Sequence, residues 1–311
     1  MHHHTSLGRA FTAWTSIAAL IAAAACWGLG TVVTKQVVDD VVPLTLLPMQ
    51  LAASCALLFL STLARHETFG WTPQGRRLAA LGILNPGIAY ALALIGLTTI
   101  TASMSVLLWA LEPAAILLLA MLVLRERIPV ELAILIGVAI VGVLLVVYQP
   151  GTAGNTVGVT LTVVSIGFCA LYTVLTRRLM LDDSSLSVVL AQQTAALIFA
   201  VVLATVIEIA GGPGWDIGGL TAGEWLGAAA SGILYYGMGF WFYVSGLRHV
   251  SASYAAAFLP LIPVFGVAAG YLVGERLEAR QWLGAVVIVA ATIAIAIGQR
   301  TRDDHGQRRS D

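Results

Sequence analysis

Residues 82–97, GILNPGIAYALALIGL, read against residues 232–247, GILYYGMGFWFYVSGL, decide how the rest of the chain is interpreted. The two stretches share Gly82/Gly232, Ile83/Ile233, Leu84/Leu234, Gly87/Gly237, Gly96/Gly246 and Leu97/Leu247 at one constant offset of 150. The same offset continues through Ala102/Ala252, Ser103/Ser253, Leu111/Leu261 and Pro113/Pro263. With short gaps, Glu126-Arg127 pairs with Glu275-Arg276, Thr34-Lys35 with Thr176-Arg177, and Asp39-Asp40 with Asp182-Asp183. An Ala-, Leu- and Val-rich chain matches itself by chance, but paired Gly, Pro and Glu-Arg positions are harder to obtain that way. The chain is an internal repeat.

Its solvent follows from composition. Of 311 residues, 59% are hydrophobic and only 10% charged, and the mean hydropathy is +0.91. A soluble domain carries roughly 25% charged residues. Lys+Arg 16 against Asp+Glu 16 gives net charge +0, which excludes a protein that engages nucleic acid through bulk charge. It also excludes a disordered chain, which is apolar-poor and carries high net charge. The lipid bilayer is the solvent that fits.

A transmembrane helix needs about 20 mostly apolar residues. Such stretches fall near 14–37, 43–64, 78–97, 101–124, 130–148, 157–179, 186–209, 222–245, 251–273 and 281–299. The expected fold is all-α and integral to the membrane, with ten transmembrane helices in two five-helix repeats, 12–149 and 156–299. Asp39-Asp40 with Pro43, Gly70 to Gly75, Gln149-Pro150-Gly151 and Gly211 to Gly214 punctuate the spans. Residues 300–311 form a polar tail, expected to be disordered from Arg302 on. Because each repeat has an odd number of spans, the second copy must sit inverted. With the N-terminus inside, Arg9, Arg65, Arg76, Arg77, Arg125, Arg127, Arg177, Arg178, Arg248, Arg300, Arg302, Arg308 and Arg309 fall on the cytoplasmic side. Lys35, Arg276 and Arg280 fall outside. Both termini are therefore expected in the cytoplasm. Inverted repeats are an architecture of secondary transporters, with the binding site at the repeat interface near the midplane.

Trp27-Gly28 resembles the opening of an EamA domain, the repeat unit of the drug/metabolite transporter superfamily. Pro263-Val264-Phe265-Gly266 leading to Gly274-Glu275-Arg276-Leu277, and Leu111-Glu112-Pro113 leading to Arg125-Glu126-Arg127, resemble it too. The resemblance covers about residues 14–299 in two copies. It implies a multi-pass carrier of the inner (cytoplasmic) membrane, commonly an exporter of amino acids, related metabolites or drugs. The first copy departs from the family pattern at Arg125, where Gly often precedes Glu.

Glu112 is the leading candidate for the chemistry. It lies 11 residues after Thr101 and 13 before Arg125, hence roughly 17–20 Å from either end of the span. An ionised carboxylate is costly there and is by default a functional hypothesis. Such a group suits a proton that is gained and lost during transport, with protons as the possible coupling ion. Pro113 beside it removes a backbone hydrogen bond and can kink the helix. The competing reading is a packing carboxyl beside a structural kink, since its repeat counterpart is Ile262.

Tyr235, Tyr236, Phe240, Trp241, Phe242 and Tyr243 crowd the eighth span, with Tyr236, Phe240 and Tyr243 at i, i+4 and i+7. They could wall a cavity for a flat or cationic substrate, or face lipid. Their counterparts Asn85-Pro86 make a polar break deep in the third span. Trp109, one turn before Glu112, could share its face or pack in the core. Gln50, Gln192 and Gln193 lie inside spans, where interhelical hydrogen bonding explains them without a substrate. Tyr90 and Pro263 complete the candidate set.

Lys35 is expected to snorkel towards Asp39 or Asp40, Glu208 to be solvated, and Glu126 and Glu275 to serve as local end structure. Cys26, Cys55 and Cys169 show neither metal-ligand nor disulfide spacing. No phosphate-binding loop, His-Glu-x-x-His or histidine deep in a span is present. The reading is a transporter rather than an enzyme, without metal or cofactor. It moves a small organic metabolite, an amino acid or related compound, by alternating access and outward. A multidrug or lipophilic-cation exporter of the same fold is the first alternative. A non-transporting scaffold or lipid-handling protein is the second. Monomer and homo-oligomer remain open.

Overall fold

The computed structural model describes residues 3–66, 72–124, 130–147, 155–179, 184–247, 258–259 and 261–307. Gly70-Trp71, Arg125-Glu126-Arg127, Gln149-Pro150-Gly151, Asp182-Asp183, Arg248, Ala252-Ser253 and Arg308 to Asp311, read from the sequence above, lie outside the described residues.

Among the described residues the chain is helical and holds no strand. The elements are α1 (His3–Val38), α2 (Pro43–Arg65), α3 (Pro73–Gly82), α4 (Ala89–Leu97), α5 (Ala102–Trp109), α6 (Glu112–Leu124) and α7 (Val130–Val147). They continue as α8 (Asn155–Leu179), α9 (Ser185–Ile209), α10 (Ala222–Ser231), α11 (Phe240–Leu247), α12 (Leu261–Leu272) and α13 (Ala279–Gln307). Two π-helical segments, Ile83–Ile88 and Gly232–Gly239, join α3 to α4 and α10 to α11.

The chain is a multi-pass membrane protein. Thr15–Val38, Pro43–Arg65, Pro73–Leu97, Thr156–Thr176 and Ser185–Ile209 are each long and apolar enough to cross a bilayer. Ala102–Ile116, Leu261–Leu272 and Ala279–Ala291 are shorter apolar helices. The exposed faces are greasy: Leu60, Ile198, Val202 and Val286 stand more than half exposed. Polar side chains point inward instead, with Gln50, Thr45, Ser54, Gln193 and Ser231 fully buried. That inside-out pattern is what a hydrocarbon solvent selects, because an unpaired polar group in lipid is costly.

Local sequence sets the ends. Pro43 and Pro73 stand at first helical positions, where the missing N–H costs nothing. Thr72, Thr101 and Thr221 cap α3, α5 and α10, each accepting a backbone N–H three residues on. The expected fourth span is broken. Ala110 and Leu111 separate α5 from α6, and Pro113 follows at the second position of the new helix. Asn85 is extended (φ −148°, ψ 118°) and its peptide bond to Pro86 is cis, so the third span is interrupted too. Helix α13 runs on through Asp303 and Asp304 to Gln307, against the expected disorder of that tail.

Packing ties distant parts of the chain together: α2 runs along α9, α4 along α8, α1 along α12 and α7 along α13. Two glycines mark the closest crossings. A Cβ on Gly82 would stand 1.8 Å from the Gln192 carbonyl oxygen, and one on Gly232 would stand 2.3 Å from that of Gln50. Only glycine lets backbones meet so closely.

Candidate functional site

The crossings bring two buried glutamines into the centre. Gln50 Nε2 donates to Thr34 Oγ1 at 3.1 Å and to Ser231 Oγ at 2.8 Å. Gln192 Nε2 donates to the Leu78 carbonyl at 3.2 Å, and its Oε1 accepts from Tyr172 OH at 2.7 Å. Gln193, which accepts from Ser54, donates to the Tyr236 carbonyl at 2.5 Å and so pins the second π segment to α9. These are interhelical bonds, the structural role that the sequence alone allows for them.

Around Tyr90 the structure gathers residues that are distant in sequence. Its ring stacks on Trp109 of α5, 5.5 Å away and tilted by 14°. Tyr235 and Tyr236 meet it edge-on at 5.2 Å and 5.1 Å, and Phe240 at 6.3 Å. Such geometries place a positive ring edge over a neighbouring π face. Tyr235 OH also donates to Tyr90 OH at 3.2 Å. Phe240 passes the chain of rings to Trp27, 5.5 Å off, and Trp27 to Tyr243 at 5.1 Å.

Tyr235 and Tyr236 are neighbours within the second π segment, and both rings reach this cluster.

Between α1, α4, α5 and the second π segment lies a cavity of about 20 Å³, lined by Tyr90, Trp109, Tyr235 and Tyr236 together with Thr31, Thr34, Ser105 and Leu97. That holds about one water-sized group. The chamber is therefore too small for an organic solute, which requires it to widen. Its lining carries no Lys or Arg.

Glu112 opens α6 and is half-buried. Its carboxyl lies within electrostatic reach of Tyr90, Tyr235 and Tyr243, and of Cys169 and Tyr172 on α8. The break at Ala110-Leu111 thus sets Glu112 at the first position of a new helix. Asn85 is buried, and its Oδ1 has no partner among the described residues; the indole N–H of Trp27 is in the same condition. Pro263 is placed elsewhere. It lines an apolar groove of about 570 Å³ between α12 and α13, with Val264, Val267 and Trp282.

Thr31, Thr34 and Ser105 were not singled out as site residues by sequence reasoning. A signal existed, because Trp27, Thr31 and Thr34 stand at i, i+4 and i+7 on α1, one helical stripe. One charged residue behaves differently from expectation. Glu275 is not local end structure: it accepts backbone N–H groups from Ala102 and Ser103 on α5 at 2.9 Å each. Glu208 is exposed, as expected, and also accepts from Gly214 N at 3.1 Å and Trp215 N at 2.9 Å, closing the loop after α9. Lys35 does pair with Asp39, at 2.6 Å. The three cysteines are free, and no group of metal-ligating side chains occurs among the described residues.

Comparison with known proteins gives concordant results. The profile described as the EamA-like transporter family matches twice, over residues 14–148 and 156–297. The uncharacterized transporter YyaM of Bacillus subtilis (strain 168) is 25% identical over 218 residues, 68% of this chain and 70% of that one. A protein of known crystal structure superposes with a TM-score of 0.65 at 19% identity, covering 92% of this chain and 99% of the other. That likeness speaks for the fold alone.

Proposed function

Because the chain belongs to the EamA-like transporter family, we propose that it is a secondary transporter working by alternating access between two inverted five-helix repeats, 12–149 and 156–299. Its place as a membrane transporter, and not an enzyme, is the premise. The solute is a small organic metabolite, an amino acid or related compound, carried outward across the cytoplasmic membrane. Both termini and the 300–311 tail lie in the cytoplasm.

The observation that carries this reading is the shared chamber. Tyr90 and Trp109 come from one repeat and Tyr235 and Tyr236 from the other; Tyr90 stacks on Trp109 and meets the other two face to edge beside a small cavity. Contacts that exchange partners support the inverted relation. Gly82 meets Gln192 while Gly232 meets Gln50, and one turn on, Gly87 faces Phe199 while Gly237 faces Leu57, in each case 3.0 Å from where a Cβ would stand. The two glycine pairs are 150 residues apart and their partners 142 apart, as a two-fold axis in the membrane plane would require. A solute held where the repeats meet is released to one side or the other by rocking of one against the other. Glu112 serves as polar anchor or proton site, with Asn85 Oδ1 as an unspent acceptor.

A second reading, a lipophilic-cation exporter, is favoured by one feature: a chamber lined by tyrosines and a tryptophan, with no cationic side chain for a substrate carboxylate. Aromatic faces hold a cation by roughly 0.5–2 kcal/mol each. The test uses purified protein in liposomes loaded with a pH-sensitive dye, given pooled amino acids and then quaternary cations, with wild type and Glu112→Gln side by side. A solute-dependent pH change that Glu112→Gln abolishes supports coupled transport, and the responding pool chooses between the readings. A pH change equal in both proteins removes Glu112 from coupling.

A further inference from the structure

Helix α12 ends in a way that sends a charge across the molecule. Gly274 has a left-handed φ of +97°. Its N–H donates to the Tyr271 carbonyl at 3.3 Å, and the Glu275 N–H donates to that of Gly270 at 2.9 Å. This pair of bonds is the Schellman arrangement. It turns the Glu275 side chain back towards α5. One carboxylate oxygen accepts from Ala102 N–H at 2.9 Å, and the other from Ser103 N–H at 2.9 Å and from the Ser103 hydroxyl. Thr101 already supplies α5 with a local cap, accepting from Met104 N–H at 3.1 Å. The carboxylate is thus a second, charge-assisted cap delivered from the other half of the chain. Room for it is reserved, since a Cβ at Gly270 would stand 2.6 Å from Ser103 Oγ and 2.7 Å from Glu275 Oε2.

The bond lies close to the chamber in the chain: Ser105, two residues after Ser103, and Leu97, at the end of α4, both line the cavity. A second tie crosses the same end, where Lys35 Nζ donates to the Leu97 carbonyl at 3.0 Å, beside the lining residue Thr34. Opening the chamber towards this end requires α5 to leave α12 or α1 to leave α4.

Resting on the alternating-access reading above, we propose that the Glu275 carboxylate on the α5 N-terminus is the latch that holds the chamber closed at this face, made and broken once per transport cycle. When it breaks, Thr101 still caps α5, so the helix survives the loss of its outside partner. A static cap needs no contribution from the opposite half.

The experiment reads chamber accessibility without needing a substrate. Cys26, Cys55 and Cys169 are replaced, Ser105→Cys is introduced as reporter, and an impermeant maleimide is applied to right-side-out and inside-out membrane vesicles. With the latch weakened by Glu275→Gln, or separately by Ser103→Ala, labelling from the Glu275 face rises about fivefold or more, and labelling from the opposite face falls. Unchanged rates in both variants, in protein whose thermal stability matches the parent, would overturn the proposal and leave Glu275 a static cap. A reporter that reacts from neither face in any variant would overturn the alternating-access reading together with the latch. A second measurement guards against misfolding. The pair Ser103→Cys and Glu275→Cys, joined by a short thiol cross-linker, abolishes labelling of a chamber cysteine from that face; labelling that persists after cross-linking also overturns the latch. Solute flux, measured apart, reports on transport itself.

Discussion

Removing the ring of Tyr90 separates Trp109 from Tyr235, Tyr236 and Phe240, because it touches all four. An aromatic pair contributes about 0.5–1.5 kcal/mol beyond buried area, and about 1.4 kcal/mol is tenfold in affinity. Tyr90→Ala is therefore expected to weaken solute binding roughly tenfold or more. Tyr90→Phe, which loses only the 3.2 Å bond from Tyr235, should weaken it a few-fold. Equilibrium binding to detergent-purified protein checks the pair; equal losses would show that the hydroxyl and not the ring matters. At this scale the sequence was informative where chemistry is rare and silent where it is common. Glu112 stood out because a midplane carboxyl has few reasons to exist. Tyr90 was in the candidate set, but its central position depends on which helices cross it, which an apolar run does not record. Glu275 was misread because a cap supplied from 172 residues away leaves no local signature.

The crossings of α3 and α10 with their partners make a test at the level of the element. Gly82→Ala and Gly232→Ala push a methyl group into the Gln192 and Gln50 backbones; overpacking of this kind costs about 1–3 kcal/mol. Gly137→Ala on α7 meets nothing within 4 Å and should be neutral or stabilising by up to about 1 kcal/mol. Thermal unfolding in detergent separates the cases, and a Gly82→Ala protein as stable as wild type would contradict the crossing.

The start of α10 offers a test of its cap. The Thr221 N–H and hydroxyl donate to the Glu224 carboxylate, and Thr221 Oγ1 accepts from the Glu224 N–H. Losing such a cap costs about 0.5–2 kcal/mol. Thr221→Ala should therefore speed amide exchange in the first turn of α10 at fixed pH, and an unchanged rate would contradict the capping box. Five of the expected spans, those near 14–37, 43–64, 78–97, 157–179 and 186–209, were legible to within about five residues, since apolar length is a direct reading of bilayer thickness. What was not legible was their interior. A π segment changes which residues share a face, so the i, i+4, i+7 stripe of Tyr236, Phe240 and Tyr243 did not predict that Tyr235 joins Tyr236 at Tyr90.

For the molecule as a whole, the skewed distribution of Arg and Lys predicts orientation. Impermeant reagents should reach cysteines placed beside Arg76 and beside Gln307 from the cytoplasmic side, and one beside Asp216 from the opposite side; any reversal refutes the topology. The internal match was visible in sequence because glycines and prolines are conspicuous against aliphatic residues. Which copy touches which was not, because it depends on backbone approach rather than on composition. That interleaving bears on how the chain is made. When the ribosome has released α1 to α6, Gly82, Gly87 and Tyr90 face surfaces that do not yet exist, since Gln192, Phe199 and Tyr235 are still to be synthesised. The first half must wait in the bilayer unpartnered, its buried glutamine and asparagine open to wrong companions. A fragment stopped near residue 149 should be degraded by membrane quality control, and supplying the second half from a separate message should rescue it.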